Sequence, residues 1–280
     1  MSKRKMRLSI DEAGDLGFKF SKEENQSSRY FNMTGVIDDD LKNSSSGDVI
    51  KQIAIEVFGK EETKKIHFRN ATTIQKQHMV NKVSVQPLKT ITVVTDKKYF
   101  QQNNIAINEY SYIKKNSKRG FELYIFSLEK LLIEVSNYIE GENIELVVDI
   151  AECGGTIKKT MVNKLITKLV EDGKISDKFK SVKVMVANQR CSLQVADIIA
   201  SSIYSSIEPS QLFIPIYAIA LLPIIIRKNV QGIETVLDAG ICFTHPYNTE
   251  KVIKNYPWFN HGNYIYTMLF PERESEISIN

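Results

Sequence analysis

The segment Phe121-Glu-Leu-Tyr-Ile-Phe-Ser-Leu-Glu-Lys-Leu-Leu-Ile-Glu-Val-Ser-Asn-Tyr-Ile139, followed by Gly141 and then Ile144-Glu-Leu-Val-Val-Asp149, decides the fold. Phe121, Ile125, Leu128, Leu132, Val135 and Ile139 recur at helical spacing and predict one buried stripe. Gly141 stops that helix. The run Ile144–Asp149 is almost continuously apolar, as expected of a central strand covered on both faces. Glu122, Glu129 and Glu140 lie about 100° from the stripe and are expected to be solvated.

Working outward, Arg7-Leu-Ser-Ile-Asp11 alternates polar and apolar residues and is stopped by Ala13-Gly-Asp-Leu-Gly17, so it reads as a strand ending in a turn. Tyr30–Ile37 and Lys89–Thr95 are two further strands. Between them, helices over Val49–Phe58 and Thr73–Val85 flank Ile66-His67-Phe68. Downstream come a helix over Thr156–Val170, a strand over Ser181–Ala187 and a helix opening at Ser192. This order predicts an α/β domain over residues 1–207, built on a mixed five-stranded sheet flanked by helices, with a helical insertion at about 41–87. Residues 208–280 form a C-terminal helical and aromatic appendage containing Tyr256, Trp258 and Phe259, and it offers a surface for a homodimer.

Hydrophobic residues make up 42% and charged residues 25%, which excludes wholesale disorder and a multi-span membrane protein. With 37 Lys and Arg against 33 Asp and Glu, the net charge of +4 is too small to mark a nucleic-acid binder by itself. The longest uncharged run, Pro209–Ile226, is interrupted by Pro215 and Pro223 and reads as buried core, so no membrane partner is expected. The basic N-terminus has no apolar stretch behind it, which gives no secretion signal. Cys153, Cys191 and Cys242 are far apart and form no Cys-x-x-Cys pair, which fits a reducing cytoplasm.

The candidate chemistry lies in three carboxylates. Asp197 is the single charge in the helix Cys191–Ile207 and shares a side with Leu193, Ala200 and Tyr204, a face that expects burial. A buried carboxylate is costly unless it is paired, by an ordinary ion pair with Lys or Arg or by a metal. Asp11 and Asp149 each close an apolar strand as the chain turns. If the two strands are parallel neighbours, their ends face one crevice, although a turn or cap role is the default for either residue alone. Three carboxylates in one site repel one another, and Mg²⁺ or Mn²⁺ relieves that repulsion; two such ions support phosphodiester hydrolysis.

The segments Ser9-Ile-Asp-Glu-Ala-Gly-Asp15, Ile66-His-Phe68, Leu146-Val-Val-Asp149 and Ser192-Leu-Gln-Val-Ala-Asp-Ile-Ile-Ala200 resemble the bacterial domain-of-unknown-function 3800 family. The resemblance spans roughly residues 5–207. It implies a ribonuclease H-like fold, metal-dependent nuclease or phosphoesterase activity, and links to phage defence and mobile elements. It further implies metal ligands at Asp11, Asp149 and Asp197, with Glu12 auxiliary and Gln194 of the last motif beside the substrate. Family members often carry an acid two or three residues before the middle motif's Lys-Gly or His; here Lys64-Lys65-Ile66 precedes His67, a departure that leaves a fourth acidic ligand unassigned.

His67 is a candidate to orient water, protonate a leaving group or contact phosphate, since histidine titrates near neutrality. Lys64, Lys65 and Arg190 are the basic residues best positioned to bind a nucleic-acid backbone, DNA or RNA. No His-Glu-x-x-His, Gly-x-x-x-x-Gly-Lys-Ser or Gly-x-Ser-x-Gly motif occurs, which removes the zincin, P-loop and serine-hydrolase readings. Two alternatives stay open: a catalytically silent nucleic-acid or protein-binding module of the same fold, and an actin-like nucleotide phosphatase.

Overall fold

In the computed structural model the described residues are 3–20, 27–39, 45–59, 66–103, 119–153, 157–208, 215–246 and 259. The strand β1 (Arg4–Ala13) lies inside the main sheet and fixes the position of everything at the candidate site. Its period-two alternation turns Leu8 and Ile10 toward one layer and Ser9 toward the other, where the Ser9 hydroxyl meets that of Ser192 at 2.6 Å. Strand β2 (Tyr30–Asp39) runs antiparallel to β1, and β3 (Lys89–Asp96) runs antiparallel to β2. Strand β4 (Ile144–Ala151) is parallel to β1, and β5 (Phe179–Met185) is parallel to β4.

The helices are α1 (Ser45–Phe58), α2 (Thr73–Ser84), α3 (Lys97–Gln102), α4 (Arg119–Tyr138), α5 (Lys159–Glu171), α6 (Cys191–Ser205) and α7 (Pro215–Leu221). A reciprocal cap starts α2: Thr72 Oγ1 accepts from the Gln75 N–H at 3.3 Å, and Gln75 Oε1 accepts from the Thr72 N–H at 2.9 Å. Asp96 caps α3 by accepting from the N–H groups of Lys98 and Tyr99. Helices α4 and α5 pack with Leu8, Ile10, Leu146 and Val148 on one face of the sheet. Helices α1, α2, α6 and α7 cover the other face, over Val36 and Val94.

The protein is therefore an α/β structure with a mixed sheet flanked by helices, but the sheet has six strands rather than five. After a small hairpin, β6 (Lys228–Val230) and β7 (Ile233–Thr235), the strand β8 (Ile241–Phe243) pairs in parallel with β3 and completes the order β5-β4-β1-β2-β3-β8. Residues beyond 207, read from sequence as an appendage, thus supply an edge strand, and Tyr217, Leu221 and Phe259 join the core under α6. Only three residues long, β8 is too short to show a strand period in sequence.

A second difference concerns α4. Glu122 and Glu129, expected in solvent, are buried, because Leu123, Phe126 and Leu131 outside the sequence stripe are buried too and the helix is covered on several sides. Glu129 is met by Lys174 Nζ at 3.0 Å. Among the described residues no helix is long and apolar enough to cross a membrane.

Candidate active site

Beyond the end of β1 the chain turns at Gly14, whose φ of +104° and whose closeness to the Tyr30 carbonyl, 2.8 Å from where a Cβ would stand, admit only glycine. This tight turn opens a cleft of about 670 Å³. Glu12, Gly14 and Ser28 line it from the strands; His67, Phe68 and Arg69 from the segment before α2; and Lys76 from α2 itself. Helix α6 contributes Asp197, Ser201, Tyr204 and Ser205, the i, i+4, i+7 and i+8 positions of one face.

Asp197 is 17% exposed and holds the His67 segment in place. Its Oδ2 accepts from the Phe68 N–H at 3.2 Å and lies 3.4 Å from His67 Nδ1, while its Oδ1 accepts from the Ser201 hydroxyl at 3.3 Å. The bonding partners of this carboxylate are thus a backbone amide, a histidine and a serine; among the described residues no Lys or Arg forms an ion pair with it. Gln194, one turn earlier, ties down the same segment by accepting from the Ile66 N–H at 3.1 Å. Gln194 is buried and outside the cleft lining, so the structure gives it this backbone contact.

Asp11 is paired in register with Thr34 and, by strand alternation, shares the α6 side of β1 with Ser9. It is 8% exposed. Burial first, then the neighbouring charges of Glu12 and Asp197, push its carboxyl well above the usual carboxylate range, although the Glu12 N–H bonded to its Oδ1 at 2.8 Å works the other way. Burial likewise raises Glu12 to about 7, with the charge of Asp197 adding to the rise and a hydrogen bond from Cys153 opposing it. Glu12 Oε2 is buried without a hydrogen-bond partner. By the same alternation Glu12 leaves β1 on the face opposite Asp11, and Asp11 is not among the residues that line the cleft; the three acids lie near enough to repel one another, with Glu12 and Asp197 at the cleft and Asp11 recessed behind them.

Asp149 is set apart from them. Strands β1 and β4 are parallel neighbours, but Asp149 pairs with Ser9, two residues before Asp11, which puts it about 7 Å short along the strand. It is fully buried; its Oδ2 is bound by Arg7 and lies 3.2 Å from Arg190 Nε, and its Oδ1 has no hydrogen-bond partner. Arg190 thus meets a carboxylate within the protein. Lys64 and Lys65 lie outside the described residues. The cations that line the cleft are Arg69 and Lys76, the latter with Nζ 5.2 Å from the centre of the Phe68 ring. Sequence reading did not single out either residue; the available signal was the closeness of Arg69 to the His67 motif.

Among the described residues no three His, Cys, Asp or Glu side chains form a group that could by themselves hold a metal ion. A closed protein cage is therefore not what these residues fit. Magnesium does not need one, because it keeps several waters and binds through one or two carboxylates plus substrate phosphates. Glu12 Oε2, buried without a hydrogen-bond partner, and the Asp197 carboxylate, which pairs with no Lys or Arg among the described residues, are compatible with such a partly hydrated donor set. Comparison with known proteins adds no identity to this geometry: no protein-family model matches the chain, and no curated protein matches its sequence significantly.

Proposed function

We propose that this cleft is the active site of a metal-dependent phosphodiesterase acting on nucleic acid, with Asp11 and Asp197 holding Mg²⁺ or Mn²⁺ and Glu12 beside them. The observation that carries the reading is that Glu12 and Asp197 line one cleft with the cations Arg69 and Lys76, while Asp11 is recessed just behind that lining. A phosphodiester calls for both, since its unesterified oxygens need cationic donors and its hydrolysis needs an activated water. When bound, the cation would lower the pKa of water and neutralise charge on the leaving oxygen.

The chain's own residues do the rest. Arg69 and Lys76 bind phosphate oxygens. Asp197 orients the His67 ring, which donates a proton to the leaving oxygen. Ser201, bonded to Asp197, keeps that carboxylate in one rotamer. Arg7 and Arg190 neutralise Asp149, which leaves it a structural charge one register step behind the site. The element order is similar to the ribonuclease H-like arrangement that the sequence resemblance implies and supports that reading; a cytoplasmic role in phage defence or mobile-element biology rests on the sequence reading alone.

A second reading, a catalytically silent nucleic-acid-binding module, is favoured by the lack of a three-ligand group among the described residues and by the two arginines on Asp149. Calorimetric titration of Mn²⁺ into wild type, Asp11→Asn and Asp197→Asn separates the two. Asparagine at 197 still offers an oxygen to the Phe68 N–H, so the fold is expected to survive. Binding that is lost in both folded variants, together with chelator-sensitive hydrolysis of bis(p-nitrophenyl) phosphate by wild type, supports the enzyme. Nucleic-acid binding indifferent to chelator, with no hydrolysis, supports the module.

A further inference from the structure

We infer that the substrate is a single strand, DNA or RNA, threaded along α6, and that a duplex is excluded from the chemistry. The inference rests on the phosphodiesterase reading above and adds the substrate form. Its first ground is depth. Of the acids that line the cleft, the Asp197 side chain is 17% exposed and Glu12 Oε2 is wholly covered, and Asp11 lies behind the lining at 8%, so the reacting phosphate has to enter the cleft rather than lie across its mouth. The second is size. At about 670 Å³ the cleft has the volume of sites that take small ligands, room for one or two nucleotides and too little for a paired helix to enter.

The third ground is the layout of the lining. From Asp197 the helix face presents Ser201 and Ser205 at successive turns, about 6 Å apart along the axis, with Tyr204 between them on the same face. Tyr204 is half-buried and lines the cleft. The hydroxyls of Ser201 and Ser205 donate to Asp197 and to the Ser201 carbonyl, so the groups left for a strand are the cations Lys76 and Arg69 for its backbone and the Tyr204 ring for a base.

The test uses the full chain with Mn²⁺ and end-labelled short oligonucleotides of mixed sequence, presented as single-stranded DNA, single-stranded RNA and the blunt duplex of each, beside bis(p-nitrophenyl) phosphate. Cleavage of at least one single strand about tenfold or more faster than its duplex is expected, and the DNA and RNA arms tell which sugar is accepted. Tyr204→Leu should raise KM for the single strand about tenfold, and Tyr204→Phe, which keeps the ring, should hold it near wild type. Equal cleavage of duplex and single strand overturns the inference and leaves the phosphodiesterase reading standing. Hydrolysis of the small diester with no polymer cleaved does the same. Inactivity on all five substrates overturns both.

Discussion

Asp149 lies beside Ser9, not beside Asp11, and its carboxylate is bound by Arg7 from the strand next door. Read from sequence, the two aspartates close their strands and parallel pairing would bring them together; in the structure each stands two residues before its strand's end, Ala13 and Ala151. The two-residue offset keeps them apart. It leaves Asp149 in the buried interior with Arg7 and Arg190, and Asp11 behind the cleft that Glu12 and Asp197 line.

This division makes Asp149 a stability residue. Replacing one member of a buried ion pair strands the other charge, so Asp149→Ala should cost about 3 to 5 kcal/mol in urea unfolding. Mn²⁺ affinity per folded molecule should stay near wild type, whereas Asp11→Asn should show the reverse pattern. Loss of Mn²⁺ binding in a folded Asp149 variant would return that residue to the metal site.

The acid pair at the end of β1 should make the metal-free protein less stable as the solution becomes less acidic. Glu12 rises from an ordinary 4.5 to about 7 on folding, so the folded state holds its proton across an interval in which the unfolded chain has released it. The resulting stabilisation is fully present below pH 4.5 and is lost as pH climbs through 7, with Asp11 acting in the same direction. Unfolding free energies from urea titrations with chelator at pH 5 and pH 7.5 should differ by about 1 to 3 kcal/mol in wild type, and Glu12→Gln should remove Glu12's share of that difference. A Glu12→Gln protein with the wild-type slope would show that this carboxyl is not the titrating group.

Lys97 should prove as important to the loop before the cleft as any apolar residue. Its side chain is fully buried, and its ammonium donates to the carbonyls of Asp15 and Gly17 at 2.9 Å each and to Asp15 Oδ1 at 3.1 Å. Lys97→Met keeps the volume but leaves those acceptors without their cation, a loss of about 2 to 4 kcal/mol. Hydrogen exchange should quicken first in residues 14–19. Unchanged exchange there would mean that the turn at Gly14 holds the loop without help.

Gln194→Leu removes the acceptor for the Ile66 N–H, at a cost of about 1 to 3 kcal/mol. Because Ile66 leads into His67, diester hydrolysis should fall by a larger factor than the folded fraction does. A rate that follows the folded fraction alone would confine Gln194 to a stabilising role.

What the sequence determined by itself was the set of elements and the unusual charge. Periodicities of 3.6 and 2 are local, so α4, α6, β1 and β4 were legible from their own residues, and Asp197 stood out because burial of an unpaired acid is expensive wherever the helix packs. Tertiary structure decided the rest: the offset between Asp149 and Asp11, the capture of Asp149 by arginines 142 and 41 residues away along the chain, the burial of Lys97 and Glu122, the strand β8, and the entry of Arg69 and Lys76 into the cleft. These depend on register and on contacts between segments far apart in the chain. Such contacts leave no repeating pattern in the residues that make them, because each is fixed by how whole elements pack and not by what stands next along the strand.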